Sequence, residues 1–181
     1  LANPIASDLA AMRVSLWPGL IKAAQENLSR QQDRVRLMER GAVFLAEGAG
    51  VREVPYLGGI VCGARAPEQW GAPRDAADFF DLKADVAALL ALTGSGVSLA
   101  WRPGGRGCLH PGRSATVLRD GQPIGWLGEL HPTLAAALGF SAAPLLFELD
   151  IIPALRAPLP QLQPISRFPQ VRRDLSITLP R

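Results

Sequence analysis

Apolar residues recur at Trp17, Leu20, Ile21, Ala24 and Leu28, a spacing that lines one face of a helix from about Leu16 to Gln31. Ser15 is its expected N-cap, and Pro18 falls in the first turn, where a missing N–H is tolerated. Lys22, Gln25, Glu26, Ser29 and Arg30 take the other positions. The period then changes. Residues 35–45 (VRLMERGAVFL) read as a strand whose alternation breaks at Arg40-Gly41, which predicts a bulge. Tyr56–Cys62 (YLGGIVC) is apolar on both faces, the mark of a central strand. Residues 63–78 read as a loop rich in Pro, Gly and Ala.

A second helix is signed at both ends: Asp78 as N-cap, Asp81 at the third helical position, and Gly94 after the last turn. Its stripe is Phe79, Leu82, Val86, Leu89 and Leu90. Residues 101–112 (WRPGGRGCLHPG) read as a basic, Gly-rich loop. Two alternating runs, 114–119 and 124–130, flank Asp120-Gly121, which predicts a two-residue hairpin turn of the primed type. A short helix follows Pro132 and ends at Gly139, and residues 144–152 (PLLFELDII) form a further strand. This order predicts an α+β fold, an antiparallel sheet flanked by helices that pack on one side. Residues 1–153 form that domain, 154–165 a Pro-rich linker, and 166–181 begin a new strand and a further domain.

Composition narrows the class. With 181 residues, 48% hydrophobic and 19% charged, the chain can build one sizeable core and is neither disordered nor membrane-embedded. No apolar run approaches the ~20 residues of a membrane span. A net charge of +3 does not by itself argue for nucleic-acid binding. Two cysteines, Cys62 and Cys108, make no disulfide framework and suit a reduced, cytoplasmic protein. The opening residues LANP carry neither an initiator Met nor a leader pattern, so the chain reads as a piece of a longer one.

The hairpin carries a sharper expectation. With a two-residue turn at 120–121, Val117 faces Ile124, Ala115 faces Trp126, and His110 faces His131. Facing imidazoles can bind a metal or share a proton, and a small-molecule or metal-dependent enzyme using His110 and His131 is one alternative reading. No carboxylate or thiol is spaced to complete a familiar ligand set, and Pro111 and Pro132 can end the ladder first. GGRG (104–107), flanked by Arg102 and Arg113, reads as a solvated loop, with a phosphate cradle as the alternative. A third reading is a basic RNA-binding module using Arg102, Arg106, Arg113, Arg172 and Arg173.

Six phrases lie in fixed order along the chain: NPIASDLAAMRVSLWPGL (3–20), PEQWG (67–71), DFFDLK (78–83), LHPGRSA (109–115), GELHP (128–132) and SRFPQVRRDLSI (166–177). Together they make the chain similar to the bacterial-type phenylalanyl-tRNA synthetase beta subunit, in the stretch before its C-terminal anticodon-binding domain. The resemblance implies a class II synthetase core without its active site, with no catalytic residue and no metal or cofactor of its own. ATP and magnesium then belong to the complete enzyme, an alpha2beta2 heterotetramer acting on tRNA. Class II enzymes clamp phosphate with two arginines. RLME (36–39) is a poor likeness of the first such motif, and the arginine of GSGVSLAWR (94–102) sits in the wrong context for the second. The family's first motif, a long helix and adjoining strand, forms the subunit interface, which assigns Trp17, Leu20, Ile21, Ala24 and Leu28 to alpha-subunit contact. Arg172 and Arg173 fall where the anticodon-binding domain begins and are its candidate RNA contacts. Arg40 departs from the family, which usually carries an apolar residue there. The family's editing site and magnesium-binding acidic cluster lie outside this chain.

Overall fold

The computed structural model describes residues 3, 5, 10–71, 73–94, 98–157, 167–169 and 171–178. Helix α1 (Trp17–Ser29) is followed by β1 (Arg34–Glu47) and β2 (Gly50–Gly63), and then by α2 (Phe79–Ala91). Strands β3 (Leu99–Pro103), β4 (Leu109–Arg119) and β5 (Gln122–Leu130) come next. They lead into α3 (Pro132–Ala137), β6 (Leu145–Asp150) and α4 (Ile151–Ala154). The strands form one antiparallel sheet in the order β1-β2-β6-β5-β4-β3.

Helices cover both faces of this sheet, not the single face expected. On one side Trp17, Leu20 and Ala24 of α1 and Ala135 of α3 pack on Val43, Tyr56, Ile60 and Leu146. On the other, Leu82, Val86 and Leu90 of α2 pack on Val61, Val117, Leu127 and Phe147. The cause lies in the central strands. Ile60 and Leu146 point one way while their neighbours Val61, Leu145 and Phe147 point the other, so both faces need a cover.

Local signals shape most elements as expected. Asp78 accepts from the N–H groups of Phe80 and Asp81, and Asp81 accepts from the N–H of Asp78, closing a capping box on α2. Asp120 (φ 49°) and Gly121 (φ 78°) make the primed turn joining β4 to β5.

Four expectations need correction. No bulge interrupts β1, whose register with β2 runs unbroken from Arg34↔Gly63 to Glu47↔Gly50. Gly41 serves another purpose: a Cβ there would collide with the guanidinium of Arg13, which crosses the strand at this point. Arg13 donates from Nε to the Ala42 carbonyl (2.7 Å) and from Nη1 to Glu39 (2.5 Å). The stretch 101–112 is not one loop, because Trp101–Pro103 completes β3 at the sheet edge and Leu109 onward begins β4. Pro103 suits the end of an edge strand, where no ladder N–H is required.

The hairpin register also slips. Arg119↔Gln122 and Leu118↔Pro123 pair as expected, but Val117 then faces Gly125 and Ala115 faces Leu127, leaving Ile124 as an extra residue. Pro123 has no N–H to give the ladder, so the irregularity falls there. Finally, residues 167–169 and 171–178 form neither helix nor strand, where a strand was expected. An extended segment becomes a strand only against a partner edge, and none pairs with it among the described residues. Residues 158–165 of the Pro-rich connector lie outside the described residues.

Candidate functional site

The chemistry of the molecule concentrates where α1 meets the sheet. On β6 the alternation that buries Leu146 also turns Glu148 inward, and its side chain is 0% exposed. In the sheet Glu148 lies between Gly58 of β2 and Trp126 of β5. Gly58 matters because a Cβ there would press on Leu16 and Leu20 at 3.3 Å. Its bare backbone lets the start of α1 settle onto the carboxylate.

Glu148 Oε1 accepts two hydrogen bonds, from the Leu16 N–H (2.7 Å) and the Ser15 hydroxyl (2.9 Å). Ser15 Oγ accepts in turn from the Trp17 N–H (3.2 Å). Ser15 thus lies one residue before the capping position, which Leu16 occupies, and it joins the glutamate in serving the helix start. A carboxylate here also meets the positive end of the helix dipole. Glu148 Oε2 is buried and accepts no hydrogen bond; its partner is Arg106, with Nη1 3.5 Å away. The Arg106 guanidinium lies 4.2 Å from the Trp126 ring centroid and 5.7 Å from that of Trp17. Trp17 is fixed by donating from Nε1 to the Phe147 carbonyl (2.9 Å). The result is a buried carboxylate facing a partly exposed guanidinium that lies beside two tryptophans, with the start of α1 above the acid.

Burial pushes the Glu148 carboxyl above the usual carboxylate range, against the opposing pull of Leu16, Ser15, Arg106 and Arg13. Such a group holds its proton more tightly folded than unfolded. Its contribution to stability is therefore fullest at low pH and is lost as pH rises through the folded pKa. Urea unfolding of the protein beside Glu148→Gln, from neutral pH into the acid range, isolates this contribution. The wild type is expected to gain on the variant as pH falls, whereas a constant gap would show ordinary titration. Burial also pushes the Cys62 thiol up to about 11 and raises that of Cys108, so neither is primed as a nucleophile.

The residues singled out from sequence fall in different places. Trp17, Leu20 and Ala24 are buried in the chain's own core, and Ile21 and Leu28 are partly buried against it. A contact surface for another subunit therefore cannot be built on the first three. His110 and His131 are not opposed, because β4 loops out between Leu109 and Ser114 and the His131 N–H donates to the Cys108 carbonyl (2.8 Å). Each imidazole is used locally: His110 Nδ1 accepts from the Gly112 N–H (3.0 Å), and His131 Nδ1 caps α3 by accepting from Thr133 (3.3 Å). No cluster of three or more His, Cys, Asp or Glu that could hold a metal occurs among the described residues.

Of the five arginines grouped for RNA, Arg106 pairs with the buried Glu148 and Arg113 binds Glu129 (2.8 Å). Arg102, Arg172 and Arg173 are exposed. Glu148 itself escaped the sequence reading. Its signal was present, as a single acid inside PLLFELDII at the inward-facing parity of Leu146.

A six-stranded antiparallel sheet with helices on both faces is the architecture of the class II aminoacyl-tRNA synthetases. The pyrrolysyl-tRNA synthetase PylSc of Desulfitobacterium hafniense superposes with a TM-score of 0.57 at 17% identity, over 79% of this chain and 47% of that one. Within that class, residues 1–151 match the phenylalanyl tRNA synthetase beta chain CLM domain, and the chain belongs to this family. The phenylalanine–tRNA ligase beta subunit of Pseudomonas syringae pv. tomato is 50% identical over 177 residues, 98% of this chain and 22% of that protein. That of Methylococcus capsulatus is 48% identical over 181 residues, 100% of this chain and 23% of that protein. The chain thus spans about a fifth of the length of such relatives. No helix among the described residues is long and apolar enough to cross a membrane.

Proposed function

We propose that the chain is a non-catalytic, alpha-subunit-binding module of a phenylalanine–tRNA ligase beta subunit. It serves the ATP-dependent attachment of phenylalanine to tRNA in the cytoplasm. In this reading the complete enzyme is an alpha2beta2 heterotetramer, its alpha subunit handles ATP and magnesium, and this module positions that subunit.

The observation that carries the reading is a sheet face shut by its own helix. Adenylate chemistry needs guanidinium groups free to meet developing phosphate charge. Two guanidinium groups on this face are engaged: Arg106 with Glu148, and Arg13 with Glu39 and the Ala42 carbonyl. With Trp17, Leu20 and Ala24 turned inward, alpha contact falls to the outward face of α1, where Lys22, Glu26 and Ser29 are exposed.

ATP–pyrophosphate exchange in the presence of phenylalanine tests the catalytic half of the proposal. The chain alone is expected to give no exchange above the blank, while the alpha–beta enzyme exchanges readily. Exchange by the chain alone would overturn it.

A further inference from the structure

At the end of β4 a buried cation is turned toward the place where the chain leaves the sheet. Arg119 is 4% exposed. Its Nη1 donates to the Ala154 carbonyl and its Nη2 to the Arg156 carbonyl, and among the described residues it meets no carboxylate. We infer that Arg119 is a clamp on the outgoing chain. It fixes the point and direction at which the backbone departs after α4, so that whatever follows residue 157 starts from a set position.

The base of the clamp is rigid. The Arg119 backbone pairs with Leu99 of β3 on one side and Gln122 of β5 on the other. The turn beside it is pinned as well, since the Asp120 N–H donates to the Ser98 carbonyl (2.8 Å) and the Ser98 N–H to Asp120 Oδ1 (3.0 Å).

What it holds has little other anchorage. Helix α4 is a single turn, and such a helix leaves its last carbonyls without partners of its own. The Leu155 N–H returns to the Ile151 carbonyl (2.9 Å), but the side chains of Leu155, Arg156 and Ala157 are exposed and contribute little burial. The order of the backbone there therefore falls to the guanidinium. Its fork can serve two carbonyls at once and its charge persists at every working pH. Hydrogen bonds from a charged donor are roughly twice as strong as neutral ones. Filling space does not explain the charge, because an apolar side chain of similar volume carries no desolvation cost at a buried position.

Trypsin supplies the test, because Arg156 is an exposed cleavage site whose scissile carbonyl is the one that Arg119 holds. Cleavage of the full chain is followed by mass at three positions: after Arg156, after the exposed Arg167, and after Lys83 within α2, which reports loosening of the whole fold. In the wild type, cleavage after Arg156 is expected to be at least about tenfold slower than after Arg167, since proteolysis follows the population of the opened segment. Arg119→Met keeps the apolar stem and removes both donors. It should raise cleavage after Arg156 by about tenfold or more while Arg167 and Lys83 keep their wild-type rates. If the methionine variant does not fold, Arg119→Lys decides: its single ammonium cannot span both carbonyls, so it should give a smaller rise confined to Arg156. Equal wild-type rates at Arg156 and Arg167 would overturn the clamp. So would an unchanged Arg156 rate in the folded variant, or a rise at Lys83 as large as that at Arg156, which would assign Arg119 to the stability of the core alone.

Discussion

Glu148→Ala is expected to destabilise the chain by about 2–5 kcal/mol, because it leaves two buried donors unsatisfied at roughly 1–3 kcal/mol each. Three groups lose their partner at once: the Leu16 N–H, the Ser15 hydroxyl and the Arg106 guanidinium. The first two cannot turn to bulk water, since Ser15 and Leu16 are buried, whereas the partly exposed Arg106 can. Glu148→Gln keeps the shape and an acceptor for Ser15 and Leu16 while removing the charge opposite Arg106. It should therefore cost less, about 1–3 kcal/mol. Urea midpoints at neutral pH measure both. A loss below about 1 kcal/mol for the alanine variant would mean that the pair is solvated and the sheet face open.

Leu20→Arg should unfold the chain, and so should not act as a clean interface mutation. Leu20 is 3% exposed and fits over Gly58, where its Cδ1 would lie 3.3 Å from any Cβ placed on that glycine. A guanidinium at this position has no carboxylate left to meet, because Glu148 is already shared by Ser15, Leu16 and Arg106. Burying an unpaired charge belongs to the mechanisms that cost more than about 4 kcal/mol. The informative contrast is the double variant Lys22→Glu/Glu26→Lys on the outward face. It is expected to hold its melting behaviour within about 0.5 kcal/mol of the parent while weakening alpha-subunit binding. If Leu20→Arg stays folded and the double variant leaves alpha binding unchanged, the helix presents its apolar stripe outward and the assignment of faces is reversed.

Legibility followed the range of the interaction. Helix α2 and the β4–β5 turn could be read because Asp78, Asp81, Asp120 and Gly121 act on neighbours within a few residues. The central position of β2 was legible because its apolarity on two faces is a property of the strand itself. The hairpin register was not, since Pro123 shifts the pairing beyond it by one residue and a second irregularity between Leu109 and Ser114 separates His110 from His131. Gly41 looked like a bulge because nothing nearby announces that Arg13 crosses there.

The candidate site illustrates the same limit. Arg106 was visible only as one more arginine in a basic loop, and Glu148 only as an acid in an apolar run. Their pairing is a tertiary fact, produced when β6 and the loop before β4 are brought beneath α1. The helix stripe was read correctly as apolar, but a stripe does not say whether it faces its own sheet or another chain. Burial of Trp17, Leu20 and Ala24 supplies that answer.

The central claim is that this fold has become a docking module, and size-exclusion chromatography of the chain with separately made alpha subunit tests it most directly. Co-elution in one stoichiometric complex, ahead of either component and reduced by Lys22→Glu/Glu26→Lys, is the expected result. Separate elution of the two at micromolar concentration would contradict it.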